Sequence, residues 1–290
     1  VYQTETWQSY AVPILLYLIV GGSLVITNRN VDLKISLKEA FIITVLSWIL
    51  LSILCSVPFI FTESNLSLID ALFESMSGIT TTGSTVLGSL DDLPKGILIW
   101  RALLQWLGGI GIVIIALIIL PFLRIGGMQL FHLEGDDPYD KFLPKISSVI
   151  SKIALIYVIL TLILFSLYYI FGMSIFDAVT HSFSTISTGG FSTHNNSFAF
   201  FDSQIILMIA IVFMILGSFP FLILAQINIK NPLLFFKDQQ IKIFLLILII
   251  SILLIYFFAQ KYIDGSIVNK MVIISFNTIS IISGTGFVSE

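Results

Sequence analysis

Charge is scarce in this chain. Of 290 residues, 14 are Lys or Arg and 17 are Asp or Glu, 11% in all. An average soluble protein carries about 25%, which here would be roughly 72 charged side chains. So few charges cannot cover a water-facing surface, which excludes an ordinary soluble domain. Cysteine is represented by Cys55 alone, which excludes an intrachain disulfide. Three scattered histidines and one cysteine give no metal-ligand spacing, and no nucleophile–base pair stands out, so no enzyme is expected. The net charge of −3 offers no basic field for nucleic acid. Hydrophobic residues make up 57%, far too many for a disordered chain.

Long uncharged runs fill the space that charge vacates. A spanning helix needs about 20 mostly apolar residues. Six stretches qualify, near 8–27, 41–61, 97–121, 150–171, 204–227 and 242–260. They are too long and too uniformly apolar for transmembrane β-strands. The expected class is therefore an all-α membrane protein. Ten of the 14 basic residues fall between spans on one side: Arg29, Lys34, Lys38, Arg124, Lys141, Lys145, Lys152, Lys230, Lys237 and Lys242. The positive-inside rule makes that side cytoplasmic and places 62–96, 172–203 and 261–290 outside. The cytoplasmic loop near 122–149 is long and mixed in sign. It reads as a solvated loop, or as a docking surface for a cytoplasmic partner.

Each outer segment holds a short apolar stretch followed by hydroxyl residues and glycine. Stretches of that length do not span but can re-enter the membrane. The three segments align without gaps on Gly83, Gly190 and Gly286. Ser75, Ser182 and Thr278 then coincide, as do Ser77, Ser184 and Ser280, and Ile79, Ile186 and Ile282. The glycines lie 107 and then 96 residues apart. The match continues into the following spans, where Leu107-Gly-Gly-Ile-Gly111 resembles Leu216-Gly-Ser-Phe-Pro220. Such a repeat reads as helix, re-entrant pore helix, extended Thr/Ser/Gly strand, helix. Irregular backbone at membrane depth is tolerated only where protein buries it or it lines a watery path. Its carbonyls can replace the hydration shell of a cation. Neutral carbonyl and hydroxyl oxygens suit a monovalent ion, whereas carboxylates are typical of divalent sites.

The segments Ser77-Gly-Ile-Thr-Thr-Thr-Gly83-Ser-Thr-Val, Trp100-Arg-Ala-Leu-Leu-Gln-Trp-Leu-Gly-Gly-Ile-Gly111 and Gly126-Gly-Met-Gln-Leu130 resemble the TrkH-type subunit of the Trk/Ktr/HKT potassium-uptake superfamily. Ser184-Thr-Ile-Ser-Thr-Gly-Gly190-Phe-Ser-Thr-His194 and Ser283-Gly-Thr-Gly286-Phe are similar to its second and third filters. The resemblance implies repeated helix–pore-loop–helix units around a pseudo-fourfold cation pore in a bacterial inner membrane. It implies Thr81, Thr82 and Gly83, then Thr188, Gly189 and Gly190, then Gly284, Thr285 and Gly286 as potassium-binding filter residues. In the superfamily it resembles, glycine at all three filter centres goes with potassium rather than sodium, so the resemblance implies potassium preference. Potassium is then the substrate, with no cofactor. A homodimer and a cytoplasmic nucleotide-binding regulatory subunit of TrkA type are implied as partners. An ion-coupled symporter, driven by sodium or protons on the same scaffold, is the alternative.

The expected organisation is an N-terminal span and link over 1–40, repeat one over 41–123, a cytoplasmic loop over 124–149, repeat two over 150–229 and repeat three over 230–290. The family pattern has a second span in repeat three and a fourth repeat, so this chain is expected to be a piece of a longer protein. Several single residues carry their own expectations. Asp70 and Asp177 should cap pore helices. Arg101 should either snorkel to the interface or pair with a carboxylate such as Glu74. Glu74, His181 and Asn277 share one repeat position and should hold each filter against its pore helix, with proton coupling through His181 as the minor reading. His194 should be solvated in the outer mouth. Gly108, Gly109 and Gly111 should allow close packing, and Gly217 with Pro220 should kink the matching helix.

Overall fold

The computed structural model describes residues 8–29, 37–61, 66–123, 138–224 and 238–289. Those residues form helices and turns, with no strand among them. In chain order the helices are α1 Gln8–Asn28, α2 Leu37–Phe61, α3 Leu68–Ile79, α4 Lys95–Leu123, α5 Pro138–Ile170, α6 Ile175–Ile186, α7 Gln204–Gly217, α8 Phe221–Leu224, α9 Gln239–Ala259 and α10 Ile267–Ile282. Phe41–Phe61, Lys95–Leu117, Ser147–Ile170 and Gln239–Ala259 are each long and apolar enough to cross a membrane. The Gly126–Leu130 motif, and with it most of the 122–149 loop, lies outside the described residues. Where that loop gives way, α5 begins at Pro138, well upstream of the apolar stretch near 150.

Three short helices, α3, α6 and α10, stand before the three extended segments. Each begins at a serine whose hydroxyl accepts the amide three residues on: Ser67 from Asp70, Ser174 from Asp177, and Ser266 from Asn269. Ser67 and Ser174 return the favour by donating to the Asp70 and Asp177 carboxylates at 2.7 and 2.6 Å. These caps satisfy amides that a helix start leaves unpaired, and the carboxylates meet the positive end of the dipole. The third helix runs 16 residues rather than 12, one turn more than its counterparts.

Packing follows a rotary order. α3 packs between α2 and α4 of its own repeat, and α6 packs on α5 and also on α4 of the repeat before. α10 likewise packs on α9 and on α7 of the repeat before. Each pore helix after the first therefore leans on the second span of the preceding unit. α1 docks on α2 where Pro58 has no N–H to give the Leu54 carbonyl. Tyr17 fills that vacancy from α1 at 2.7 Å, and Trp100 of α4 donates to the neighbouring Cys55 carbonyl at 3.1 Å.

The glycines of the second spans make the closest approaches. A Cβ on Gly108 would collide with the Ile79 carbonyl at the end of α3, while one on Gly217 would lie 2.8 Å from the Ile186 carbonyl at the end of α6. Immediately beyond Gly217 the helix breaks over Ser218–Pro220 before α8 resumes, so the stretch expected as one span from 204 is interrupted there. Gly111 has open space around it. Gly108→Ala should thus lower stability by about 1–3 kcal/mol through overpacking, while Gly111→Ala should be nearly neutral. Thermal melts of the two variants in detergent check this.

Candidate functional site

Each pore helix ends in the same sequence of turns. At the helix end, Thr81 donates its amide to Gly78 at 3.0 Å, Thr188 to Thr185 at 3.1 Å, and Gly284 to Ile281 at 3.0 Å. These three residues have positive φ, at 55°, 50° and 78°. The filter glycines follow two residues later, with φ of 80°, 79° and 82° at Gly83, Gly190 and Gly286. Left-handed conformations are cheap for glycine but cost a β-branched residue of order 1–3 kcal/mol. Each segment thus carries two left-handed residues, and Thr81 and Thr188 are strained there. Sequence reasoning named both as filter residues but not their left-handed backbone. The signal was Gly284, which aligns with them and shows what that position asks for.

The extended strands lie side by side. A Cβ on Gly83 would collide with the Gly189 carbonyl, and one on Gly190 with the Thr285 carbonyl. In both cases the central glycine of one segment abuts the carbonyl just before the central glycine of the next. The structure thus brings Gly83, Gly189, Gly190 and Thr285 together at two successive contacts. Gly286 has nothing within 4 Å on the corresponding side. Thr81, Thr82, Thr188 and Gly284 belong to the same three turns, though Thr82 also meets the Thr80 hydroxyl at 2.8 Å.

One position per repeat ties the strand after the filter to its own pore helix. Glu74 accepts from the Thr85 hydroxyl at 2.9 Å and from the Val86 amide at 3.1 Å. His181 Nε2 meets the Ser192 hydroxyl at 3.0 Å, and its Nδ1 meets the Asp177 carbonyl at 2.9 Å. That carbonyl can only accept, so Nδ1 carries the proton and Nε2 accepts from Ser192. Asn277 donates to the Ser289 hydroxyl at 2.9 Å and accepts its amide at 3.2 Å. All three do the holding expected of them. A second brace appears twice: Ser77 donates to the Ser84 carbonyl and Ser280 to the Phe287 carbonyl.

Arg101 settles between its two expected fates. Its side chain is 1% exposed and its Nε stands 2.6 Å from Glu74 Oε1. It does not snorkel: Nη1 donates to the Ser192 carbonyl at 3.3 Å and the guanidinium lies 4.0 Å from the Phe191 ring centroid. A cation on one repeat therefore links the carboxylate that holds filter one to the strand of filter two. Gln105, one turn along α4, bonds the Gly189 carbonyl and accepts the Phe191 amide at 3.0 Å. Sequence reasoning assigned Gln105 no role. A lone uncharged amide in a long apolar run was the available signal.

The outer mouth is clasped rather than open. His194 was expected in solvent, yet its side chain is only 17% exposed. Its Nδ1 donates to Asp91 at 2.8 Å, its Nε2 stands 3.3 Å from Asp177 Oδ1 without hydrogen-bond geometry, and its ring stacks on Phe200. Asn195 adds its amide to Asp91 and takes the Leu90 amide at 2.8 Å. The loop after filter two is thereby pinned to the loop after filter one. The loop also reaches filter three, where Phe198 donates its amide to Val288 at 3.0 Å.

Removing one partner of the Glu74–Arg101 pair should cost about 3–5 kcal/mol, because the other charge is left buried alone. Glu74→Leu with Arg101→Met together should lose less than the two single changes summed, which melts of all three variants would show. The Asp91 carboxyl titrates below its usual range, chiefly because it accepts from His194. A depressed carboxylate contributes stability above its unfolded pKa of about 3.9 and loses it as pH falls through the folded value. Asp91→Asn should therefore melt with a shallower acid limb than the parent between about pH 5 and pH 3.

Comparison with known proteins agrees with this geometry. The family model TrkH, described as a cation transport protein, matches residues 8–287. The Trk system potassium uptake protein TrkH of Salmonella typhimurium is 36% identical over 297 residues, covering 100% of this chain and 61% of that protein. The Trk system potassium uptake protein TrkI of Halomonas elongata is 37% identical over 261 residues, covering 89% of this chain and 53% of that protein. The crystal structure of the potassium transporter TrkH from Vibrio parahaemolyticus superposes with a TM-score of 0.89 at 33% identity, over 100% of this chain and 60% of that one. The chain thus spans between half and two thirds of the length of these relatives.

Proposed function

This chain belongs to the TrkH family of cation transport proteins, and we propose that it forms part of a pathway for potassium uptake across the cytoplasmic membrane. The observation that carries this reading is the side-by-side contact of the three glycine-centred segments. Each presents irregular backbone inside a bundle whose spans are apolar, an arrangement tolerated where carbonyls line an ion path. On this reading Thr81, Thr82, Gly83, Thr188, Gly189, Gly190, Gly284, Thr285 and Gly286 supply backbone and hydroxyl oxygens to the ion. The C-terminal ends of α3, α6 and α10 lie just before these segments, and their partial negative charge favours a cation there. A fourth wall, of the kind the family pattern has, would sit on the open flank of Gly286.

A path lined by neutral oxygens lets an ion bind and leave again. The proton-coupled alternative gains nothing from His181, whose two ring nitrogens are both engaged with Asp177 and Ser192. The protein's role is transport rather than catalysis on this reading. Partners belong to the proposal too. Relatives carry the names of Trk system components, and a homodimer with a cytoplasmic nucleotide-binding regulatory subunit of TrkA type is the assembly the family pattern implies.

The protein expressed from its whole reading frame should restore growth of potassium-uptake-deficient bacteria at low external potassium. Gly190→Val should abolish that rescue, since its side chain has no room beside the Thr285 carbonyl. Rescue that survives Gly190→Val at equal membrane abundance would overturn the assignment.

A further inference from the structure

The strand of the second filter is fixed from outside its own repeat. Gln105 lies on α4, in the second span of repeat one, and is fully buried. Its Nε2 donates to the carbonyl of Gly189, and its Oε1 accepts the amide of Phe191 at 3.0 Å. A carbonyl only accepts and a peptide N–H only donates, so the two bonds leave the amide one orientation. A single side chain thus grips the peptide groups on both sides of Gly190. Fit is tight as well as polar, because a Cβ on Gly189 would fall 2.6 Å from Gln105 Oε1.

The other boundary between repeats lacks this device. Superposing Gly108 on Gly217 places Met214 where Gln105 stands and Ala210 where Arg101 stands. Both are fully buried and apolar. At these two positions α7 has no side chain that can donate to the third strand as Gln105 donates to the second, and its Gln204 donates to Asn269 on α10 instead. The tie is not a requirement of the packing that all repeats share. It is particular to Gly189, a residue the proposed function places in the ion path.

We propose that Gln105 is a positioning residue for cation selectivity, acting by fixing the direction of the Gly189 carbonyl; this rests on the reading of the three segments as a potassium filter. Selectivity in such filters depends on the size of the site or on the number and field strength of its carbonyl dipoles. Both quantities change if one carbonyl is free to turn. An ionised glutamate at this position keeps the shape and can accept from Phe191, but it has no proton for Gly189. Two acceptors would then face each other, and the carbonyl would be pushed from its place. Leucine would leave both peptide groups unpaired.

The test uses the whole-length protein in potassium-uptake-deficient bacteria. The KM and maximal rate are measured for potassium and for rubidium, with inhibition by sodium and membrane abundance alongside. Q105E and Q105L should each change the rubidium-to-potassium KM ratio several-fold and strengthen inhibition by sodium. Loss of a purely structural contact would lower abundance and maximal rate while leaving that ratio alone. An unchanged ratio in variants that reach the membrane overturns the inference, and so does failure of both variants to accumulate, since the residue would then serve folding. A parent that carries no potassium overturns the functional reading and the inference with it. A parent that carries potassium beside variants that keep its ratio overturns the inference alone.

Discussion

A peptide carbonyl or amide inside a bilayer has no water to turn to, so it must find a partner in the protein or in whatever passes through. The spans of this chain meet the demand by helix bonds. The segments after α3, α6 and α10 cannot, because each holds two residues at positive φ, where a right-handed helix cannot continue. Their unpaired groups then set the requirements for the surrounding side chains. Ser77 and Ser280 take carbonyls one residue past the filter glycines, Glu74 and Asn277 take amides three residues past, and Gln105 takes groups on both sides of Gly190. These five side chains each answer a backbone group of the three segments.

The three answers share a position but not a chemistry. Repeat one uses a carboxylate, which obliges a buried cation to follow it, and Arg101 meets that need. Burying an ion pair is expensive unless its remaining hydrogen-bonding capacity is filled. Here Thr85, Val86 and Ser192 fill it. Repeat two uses a neutral histidine and repeat three an asparagine, and neither brings a counterion. The outcome is a molecule whose first and second strands are joined by charge and amide across α4, while its second and third meet through backbone contacts and aromatic rings such as Phe198 on Phe287. Pseudo-symmetry of backbone thus coexists with distinct side-chain solutions at each boundary.

The glycines of the spans serve the same end. Gly108 and Gly217 let α4 and α7 lie directly against the last carbonyls of α3 and α6. Gly109 brings α4 equally close to repeat two, where a Cβ would stand 2.8 Å from Ser187 Cβ and 2.9 Å from the Tyr157 hydroxyl. Close packing on both sides of α4 thus accompanies the ties that Arg101 and Gln105 make to the second strand.

Much of this was legible from residue order. Scarce charge and long apolar runs imply membrane helices, because transfer of charge into hydrocarbon is costly whatever the fold. Alignment on Gly83, Gly190 and Gly286 revealed the repeat, since glycine is the residue that takes a left-handed conformation at least cost. Asp70 and Asp177 marked the starts of two pore helices because capping is local, although the cap itself proved to be the serine three places before each, with the aspartate in the first turn. What could not be read is what crosses between repeats. Gln105 lies 84 residues from Gly189 and His194 lies 103 from Asp91, and no local pattern links either pair. Arg101 had two plausible fates, and burial beside Glu74 decided between them. Local steric and transfer energies are properties of short stretches, so residue order carries them. The partner of a buried polar group depends on which helices meet, and that is settled when the chain packs.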